Sequence, residues 1–182
     1  VTTRKFRDLS AWYHIVLAVD STLSTSADRM KFYINGERVV IGTQESIPQN
    51  FNTRINSAVN HGVGYAGNTS FPYYWDGYQA ETVFIDGTAL DPTSFGEFDE
   101  DSGIWKPIDV SGLTFGTNGF YLDFENSGSL GADVSGNGNN FTVNNLTAID
   151  QSTDTCTNNF CTMNPLDNFY ANSTFSQGNN KI

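Results

Sequence analysis

The chain has 182 residues, of which only 16% are charged and 14% are aromatic. Helical bundles need more Ala, Glu, Lys and Leu, whereas 17 glycines among many Asn, Ser and Thr residues favour polar turns. Nine basic residues stand against 20 acidic ones, and the net charge of −11 argues against binding to nucleic acid through its phosphates. No apolar run reaches the ~20 residues that a membrane span needs. We therefore expect an all-β, mainly antiparallel protein with no nucleic-acid partner and no membrane insertion.

The first predicted strand covers residues 12–20, which are mostly β-branched or aromatic. Two short alternating runs follow, at residues 30–34 and 37–41, and Asn35 and Gly36 separate them. This pair is the strongest short hairpin signal because a type I′ turn needs positive φ at both central residues. The sequence therefore predicts a β-hairpin at this point.

The later elements are predicted from shorter signals. Asp91 followed by Pro92 has the chemistry of a helix start, so one short helical turn is expected there. Runs of β-favouring residues predict further strands at 59–65, 78–85, 119–125 and 140–146.

The chain divides into a β domain at residues 1–149 and a polar extension or linker at 150–182, which is rich in Thr, Asn and Ser. It begins at Val1, which we interpret as a fragment or a processed chain. Cys156 and Cys161 are the two cysteines. They fit either a local disulfide in an oxidising compartment or two free thiols.

Three stretches carry a resemblance to a known superfamily. AWYHIVLAVD at 11–20 with KFYING at 31–36, YWDGYQAETVFI at 74–85, and LDFE at 122–125 with DVSGNGN at 133–139 resemble motifs of laminin-G-like domains. These domains belong to the concanavalin A-like lectin/glucanase superfamily. The resemblance implies a jelly-roll β-sandwich.

The sequence departs from the family pattern in the order of its motifs. The segment that normally opens such a domain comes late, the strands that should precede Trp12 are absent, and Ala80 replaces the first acid of an Asp-Glu pair. Two explanations stay open: the domain begins in the middle of the sandwich, with its earlier strands lost or supplied by a neighbour, or the late segment completes the sandwich in permuted order.

A closer resemblance covers residues 84–92, 95–97, 103–107 and 116–124, which are similar to structural proteins of marine bacteriophages. In those proteins a laminin-G-like module lies within a longer virion or tail-fibre protein. The resemblance implies a location on the phage particle or tail fibre, outside the cell. It also implies other virion proteins as partners and, by analogy with fibres, a homotrimer.

Aromatic residues between 71 and 78 are candidates for stacking on the apolar C–H faces of sugar rings. Because most aromatics of a sandwich lie in its core, we expect Trp75 and Tyr78 to be buried. Tyr73 and Tyr74 are then the predicted contacts with a host-surface carbohydrate.

Calcium is the predicted cofactor, if there is one. Asp133, Ser135 and Asn137 alternate as oxygen-bearing residues do at the start of a calcium loop, although Asn144 stands where an EF-hand has its bidentate Glu. A turn braced by Asx hydrogen bonds accounts for the same three residues.

No catalytic residues are predicted. The acidic run at 97–101 lacks the second catalytic Glu of the superfamily's glucanases, because Ser102 occupies that position, and the run has the composition of a solvated loop. His14 is expected to be packed or paired, and neither it nor His61 belongs to a recognisable triad. The first hypothesis is adhesion to a glycan, the second is a purely architectural virion protein, and the third is a glycan hydrolase.

Overall fold

The computed structural model describes residues 3–8, 11–41, 47–68, 71–157 and 173–174. Its strands, in chain order, are β1 (Ile15–Val19), β2 (Met30–Ile34), β3 (Glu37–Arg38), β4 (Tyr65–Asn68), β5 (Phe71–Tyr74), β6 (Thr82–Phe84), β7 (Gly96–Phe98), β8 (Trp105–Pro107) and β9 (Phe120–Leu122). Three short 3-10 turns, Ser26–Asp28, Pro92–Ser94 and Ala148–Asp150, are the helical elements among these residues. The described part of the chain is all-β, as the composition predicts.

All the strand pairs are antiparallel and form four small sheets. The largest has the order β1-β2-β3, with Leu17 opposite Phe32. The pairs β4-β5 and β7-β8 are hairpins of neighbours in the chain, whereas β6 pairs with the distant β9. The late segment of the sequence thus lies beside the strand that follows Ala80.

The two turns with strong local signals are confirmed. Asn35 and Gly36 have φ values of 50° and 79° and connect β2 to β3. The side chain of Asp91 accepts a hydrogen bond from the backbone amide of Thr93 at 3.0 Å, which caps the turn that begins at Pro92.

Two predicted strands are wrong, and two are shorter than expected. Residues 59–64 and 140–146 form no strand, and their backbone is instead shaped by turns and by side-chain hydrogen bonds. The predicted strands at 78–85 and 119–125 shrink to the three-residue strands β6 and β9. Apolar content alone predicted these segments, and it does not show whether a pairing partner is present.

The core is small and lies in two places. Ile34 and Ala18 are buried in the first sheet, and Leu122, Phe115, Val110 and Leu130 are buried around β9. Beside β9, the rings of Phe84 and Phe120 stack at 5.5 Å, and Phe141 meets Phe120 edge to face at 4.8 Å. The aromatic residues near β9 therefore serve packing.

Arg29 is the buried charged residue of the described chain, and each nitrogen of its guanidinium donates to a backbone carbonyl. It donates to the carbonyl oxygens of Leu23 at 2.7 Å, Ser24 at 2.8 Å and Ile47 at 2.8 Å. These bonds stabilise the buried charge and link the connection between β1 and β2 to the segment that follows β3.

Within the described residues, no helix is long or apolar enough to span a bilayer. Most of the polar extension, including Cys161, lies outside the described residues, so the disulfide remains a prediction. Cys156 is half-buried, and burial raises the pKa of its thiol.

Candidate functional site

The most exposed aromatic side chains lie on one β-hairpin. We call β4 and β5, with the adjoining Gly64 and residues 75–78, the aromatic hairpin. Tyr65 pairs with Tyr74 and Ala66 pairs with Tyr73, and the backbone amide of Trp75 donates to the carbonyl of Gly64 at 2.9 Å. The antiparallel ladder therefore continues one residue pair beyond the assigned strands.

The register places these aromatics on two faces. Tyr65 and Tyr74 are direct partners on one face, with ring centroids 5.2 Å apart and an interplanar angle of 41°. Tyr73 lies on the opposite face, because successive side chains of a strand alternate. The predicted ligand pair Tyr73 and Tyr74 is therefore not one surface, and the structure supplies Tyr65 as the ring beside Tyr74.

Exposure corrects the prediction of a buried core here. The exposed fractions of Tyr73 and Tyr74 are 66% and 76%, while Trp75 and Tyr78, expected to be buried, are 57% and 51% exposed. The prediction for Trp75 and Tyr78 is wrong, because no second layer of described residues covers this hairpin. The side chain of Phe71 lies outside what the structure describes.

Two glycines, Gly64 and Gly77, lie next to Trp75. A Cβ atom at Gly77 would lie 3.2 Å from the indole Nε1, and one at Gly64 would lie 4.0 Å from the Cβ of Trp75. Gly77 also has a φ of 152°. Gly77 therefore lets the backbone pass close to the indole of Trp75, where a Cβ atom would be crowded.

The stretch of sequence that contains the aromatic hairpin carries almost no charge. Between residues 47 and 79 the sequence contains one basic residue, Arg54, and one acidic residue, Asp76. The imidazole of His61 lies 2.7 Å from the carbonyl of Val59, and the residue is exposed. Apolar ring faces with few charges are suited to uncharged amphipathic ligands rather than to ions.

The predicted calcium residues lie in a different place, in a loop that we call the Asp133 loop (residues 133–139). The Asp133 carboxylate accepts hydrogen bonds from the backbone amides of Tyr121 at 2.9 Å, Ser135 at 2.9 Å and Asn139 at 2.8 Å. Burial works to raise the pKa of Asp133, but these bonds together outweigh it and lower the pKa.

The side-chain amides of the Asp133 loop also bond to the backbone, here as hydrogen-bond donors. The Asn137 side chain donates to the carbonyls of Gly116 at 2.6 Å and Gly119 at 2.9 Å, and the Asn139 side chain donates to those of Thr117 and Gly119. The Ser135 hydroxyl accepts from the Asn137 amide at 3.3 Å. A turn braced by Asx hydrogen bonds describes these contacts, and calcium stays a prediction.

No cluster of three or more His, Cys, Asp or Glu side chains suited to a metal ion occurs among the residues that the structure describes. The acidic run at 97–101, expected to be a loop, begins on a strand: Glu97 lies in β7, and the loop follows it. Asp99 accepts from the Ser102 amide and hydroxyl at 2.8 and 2.6 Å and forms an ion pair with Lys106. The Lys106 hydrogen bond and those from Ser102 hold the Asp99 pKa well below its usual range.

A second group of carboxylates lies near enough to Tyr121 to affect its pKa, and sequence reasoning did not single it out. Burial, followed by the charge of Glu81 and its acidic neighbours, raises the pKa of Tyr121 to about 12. Burial also raises the pKa of Glu81, and the nearby Glu125, Asp109 and Asp123 add to this shift. No spacing in the sequence links these residues, because β6 and β9 bring them together from distant segments.

His14 is packed, as expected. Its ring lies 5.7 Å from that of Trp105, its backbone amide donates to the Asn35 side chain at 2.8 Å, and burial lowers its pKa. The Nδ1 atom of His14 and the Nε1 atom of Trp105 are both buried without a hydrogen-bond partner among the described residues.

Comparisons of the chain with protein-family models, with curated proteins and with solved structures gave no match. The case for a function therefore depends on the geometry of this chain and on its motifs.

Proposed function

We propose that this chain is a non-enzymatic carbohydrate-binding module of a phage particle, built as a laminin-G-like jelly-roll sandwich, which attaches the virion to a host-surface glycan. The exposed rings of the aromatic hairpin carry the proposal, with Tyr65 and Tyr74 as one binding face. The sequence motifs support the virion location and the sandwich.

The physical support is the cost of leaving these rings in water. Each Å² of apolar area that stays in water loses about 25 cal/mol of the free energy that burial would supply. Soluble proteins seldom concentrate several exposed aromatics on one hairpin unless these residues bind a partner. Sugar rings present apolar C–H faces with hydroxyls around the rim. Two neighbouring rings 5.2 Å apart offer such a face an apolar platform.

The charge distribution narrows the class of glycan. The protein carries a net charge of −11, and one basic residue lies between positions 47 and 79. A polysaccharide with carboxylates or sulfates would be repelled and would find few cations to pair with. The ligand is therefore a neutral glycan, bound with modest affinity through ring stacking.

The direct test is affinity electrophoresis of the purified chain in gels that contain laminarin or dextran as neutral polysaccharides, or alginate as an acidic one. We expect retardation by a neutral polysaccharide and about tenfold weaker binding after Tyr74→Ala or Tyr65→Ala. Phe51→Ala is the matched control, since Phe51 is a half-exposed aromatic outside the hairpin. Retardation by alginate alone, by none of the three, or equal loss in the control would refute the proposal.

Two additions test the rest of the proposal. Repeating the electrophoresis with CaCl₂ and with EDTA tests calcium assistance, which predicts weaker binding in EDTA. Removing the module from the particle tests attachment, which predicts reduced adsorption to the host. Unchanged adsorption would leave the chain without an adhesive role.

An architectural role is the second candidate function, in which the chain binds other virion proteins. The observation that favours it is the exposure of aliphatic side chains away from the aromatic hairpin, foremost Ile149 at 91% and Val40 at 71%. Particles without the module would then lose physical stability while host adsorption stays intact.

A further inference from the structure

An open groove lies beside β2 and β3, away from the aromatic hairpin. It has a volume of about 310 Å³, and its lining includes Met30, Phe32, Val39, Val40, Ile41 and Arg38. Apart from Arg38 these side chains are apolar, and Val40 is largely exposed. The groove is large enough for one or two aliphatic side chains.

The chain segment that forms the groove carries more basic than acidic residues. The first 41 residues contain six basic and four acidic residues, although the whole chain is strongly acidic. Arg38 is exposed at the groove and pairs with Asp28 at 2.9 Å. The backbone and side chain of Thr3 contact the carbonyl oxygen of Val40 at 3.4 Å, which places the exposed Arg4 and Lys5 near the same rim.

A complementary projection lies near the end of the described chain. Ile149 is the most exposed large hydrophobic residue, and Leu146 and Val143 near it are also exposed. The projection is well ordered by its hydrogen bonds: Thr147 and Asp150 form a capping box around the turn, with the Thr147 amide 2.7 Å from the Asp150 carboxylate. Gln151 donates to the carbonyls of Phe124 and Glu125 at 2.8 Å.

The charge around this projection is opposite to that of the groove. Residues 107–157 contain six acidic residues and no Lys or Arg. The groove and the projection are exposed in the same chain, so they do not satisfy each other within one copy.

We propose that two copies of this chain associate head to tail, with the Ile149 projection of one copy seated in the β2–β3 groove of the next. A groove-to-groove contact would bring basic rims together, and a contact between two projections would bring acidic ones together. The heterologous contact is the one in which both shape and charge are complementary. Repetition of this contact closes a ring if the rotation between copies allows it.

Sedimentation equilibrium of the purified chain over a range of concentrations tests the contact. We expect reversible association that Ile149→Ser weakens about tenfold or more, because an aliphatic side chain is no longer buried. Val40→Asp, which adds a carboxylate at the groove, should weaken it at least as much. Val59→Asp is the matched control, since Val59 is a half-exposed Val outside both surfaces, and it should leave association unchanged.

Mixing the two variants tests the head-to-tail geometry itself. The Ile149→Ser chain keeps an intact groove and the Val40→Asp chain keeps an intact projection, so an equimolar mixture should form one-to-one dimers that grow no further. Raising NaCl from 50 to 300 mM should weaken association, because the charged rims are exposed to solvent.

The outcomes separate cleanly. A chain that stays monomeric at all concentrations overturns the proposal, as does association that neither variant weakens. Association that both variants weaken but that mixing does not restore indicates a symmetric contact and overturns the head-to-tail arrangement. Far-UV circular dichroism of both variants controls for folding, and Leu146→Ser replaces Ile149→Ser if the latter is not folded.

Discussion

The Asp133 loop and the aromatic hairpin use their side chains in opposite ways. In the Asp133 loop, carboxylate and amide groups are used by backbone groups of residues 116–121, and the neighbouring aromatic rings pack on one another. In the aromatic hairpin, the ladder is formed by the backbone, and the rings remain in water. The side chains of the first region stabilise the fold, and the second region is the proposed binding surface.

This difference implies that substitutions in the two regions should separate stability from binding. A change in the Asp133 loop should lower the free energy of unfolding and leave glycan binding by the folded protein intact. A change in the aromatic hairpin should weaken the proposed glycan binding and leave the free energy of unfolding almost unchanged. If both regions respond alike, the division is wrong.

Among changes to polar side chains, the largest effect is expected for Asp133→Ala. It leaves three backbone amides, those of Tyr121, Ser135 and Asn139, without their acceptor, and we expect the free energy of unfolding at pH 7 to fall by about 2–4 kcal/mol. Urea denaturation measures this loss. Asp101→Ala removes an exposed carboxylate from a turn and should cost about 0.5 kcal/mol or less.

The pH dependence of this effect has a definite sign. Because the folded state lowers the pKa of Asp133, its contribution is present above the unfolded value of about 3.9 and is lost as pH falls through the folded pKa. The difference between the native chain and Asp133→Ala should therefore narrow below about pH 4. A constant difference from pH 7 to pH 2 would show that the carboxylate charge is not involved.

The next effect is expected for Gly119→Ala in the same region. A Cβ atom at Gly119 would overlap the carbonyl oxygen of Phe115 and lie 2.8 Å from that of Phe84, so the backbone must move at a cost of about 1–3 kcal/mol. Gly112→Ala is the matched control, because no atom lies within 4 Å of its added Cβ. Equal thermal midpoints for the two variants would contradict the tight packing around β9.

These expectations also show which parts of the fold the sequence predicts. The Asn35–Gly36 hairpin and the Asp91–Pro92 turn follow from local conformational demands, and both are present in the structure. The exposure of Trp75 and Tyr78 is not a local property. It depends on whether another layer covers the hairpin, and the usual preference of aromatics for the core gave the wrong answer.

The candidate site was predicted only in part for a related reason. Tyr74 was identified from its type, but its partner Tyr65 depends on the register of β4 against β5. A shift of one residue would have placed another side chain beside it. Likewise, the carboxylates around Tyr121 meet only because β6 pairs with β9 across nearly 40 residues. Neither pairing has a signal in one sequence.

A smaller effect, opposite in sign, is expected for Glu81→Gln. Burial and the charges of Glu125, Asp109 and Asp123 raise the pKa of Glu81, so its ionised form at pH 7 is unfavourable in the folded state. At pH 7 the variant should have a higher free energy of unfolding than the native chain. This gain should be smaller than the losses expected for Asp133→Ala and Gly119→Ala. Its advantage should shrink as pH falls through the raised pKa, where the native Glu81 becomes protonated.

Salt gives an independent check on Glu81. Because part of the effect is repulsion between carboxylates, 0.5 M NaCl should reduce the advantage of the variant at pH 7. Glu100→Gln is the matched control, an exposed glutamate in the turn after β7, and its stability should not change. A destabilised Glu81→Gln would mean that the ionised carboxylate makes a favourable contact.

The smallest effects on stability are expected for the exposed rings of the aromatic hairpin. Tyr73→Ser removes a side chain that is two-thirds exposed, so the free energy of unfolding should change by about 0.5 kcal/mol or less. Tyr74→Ser also loses the contact with Tyr65 and should cost about 1 kcal/mol. Phe115→Ala, a buried aromatic beside β9, should cost about 3–5 kcal/mol in the same urea experiment. A loss of that size at Tyr73 would place the hairpin in the core and remove the reason to regard its rings as a binding surface.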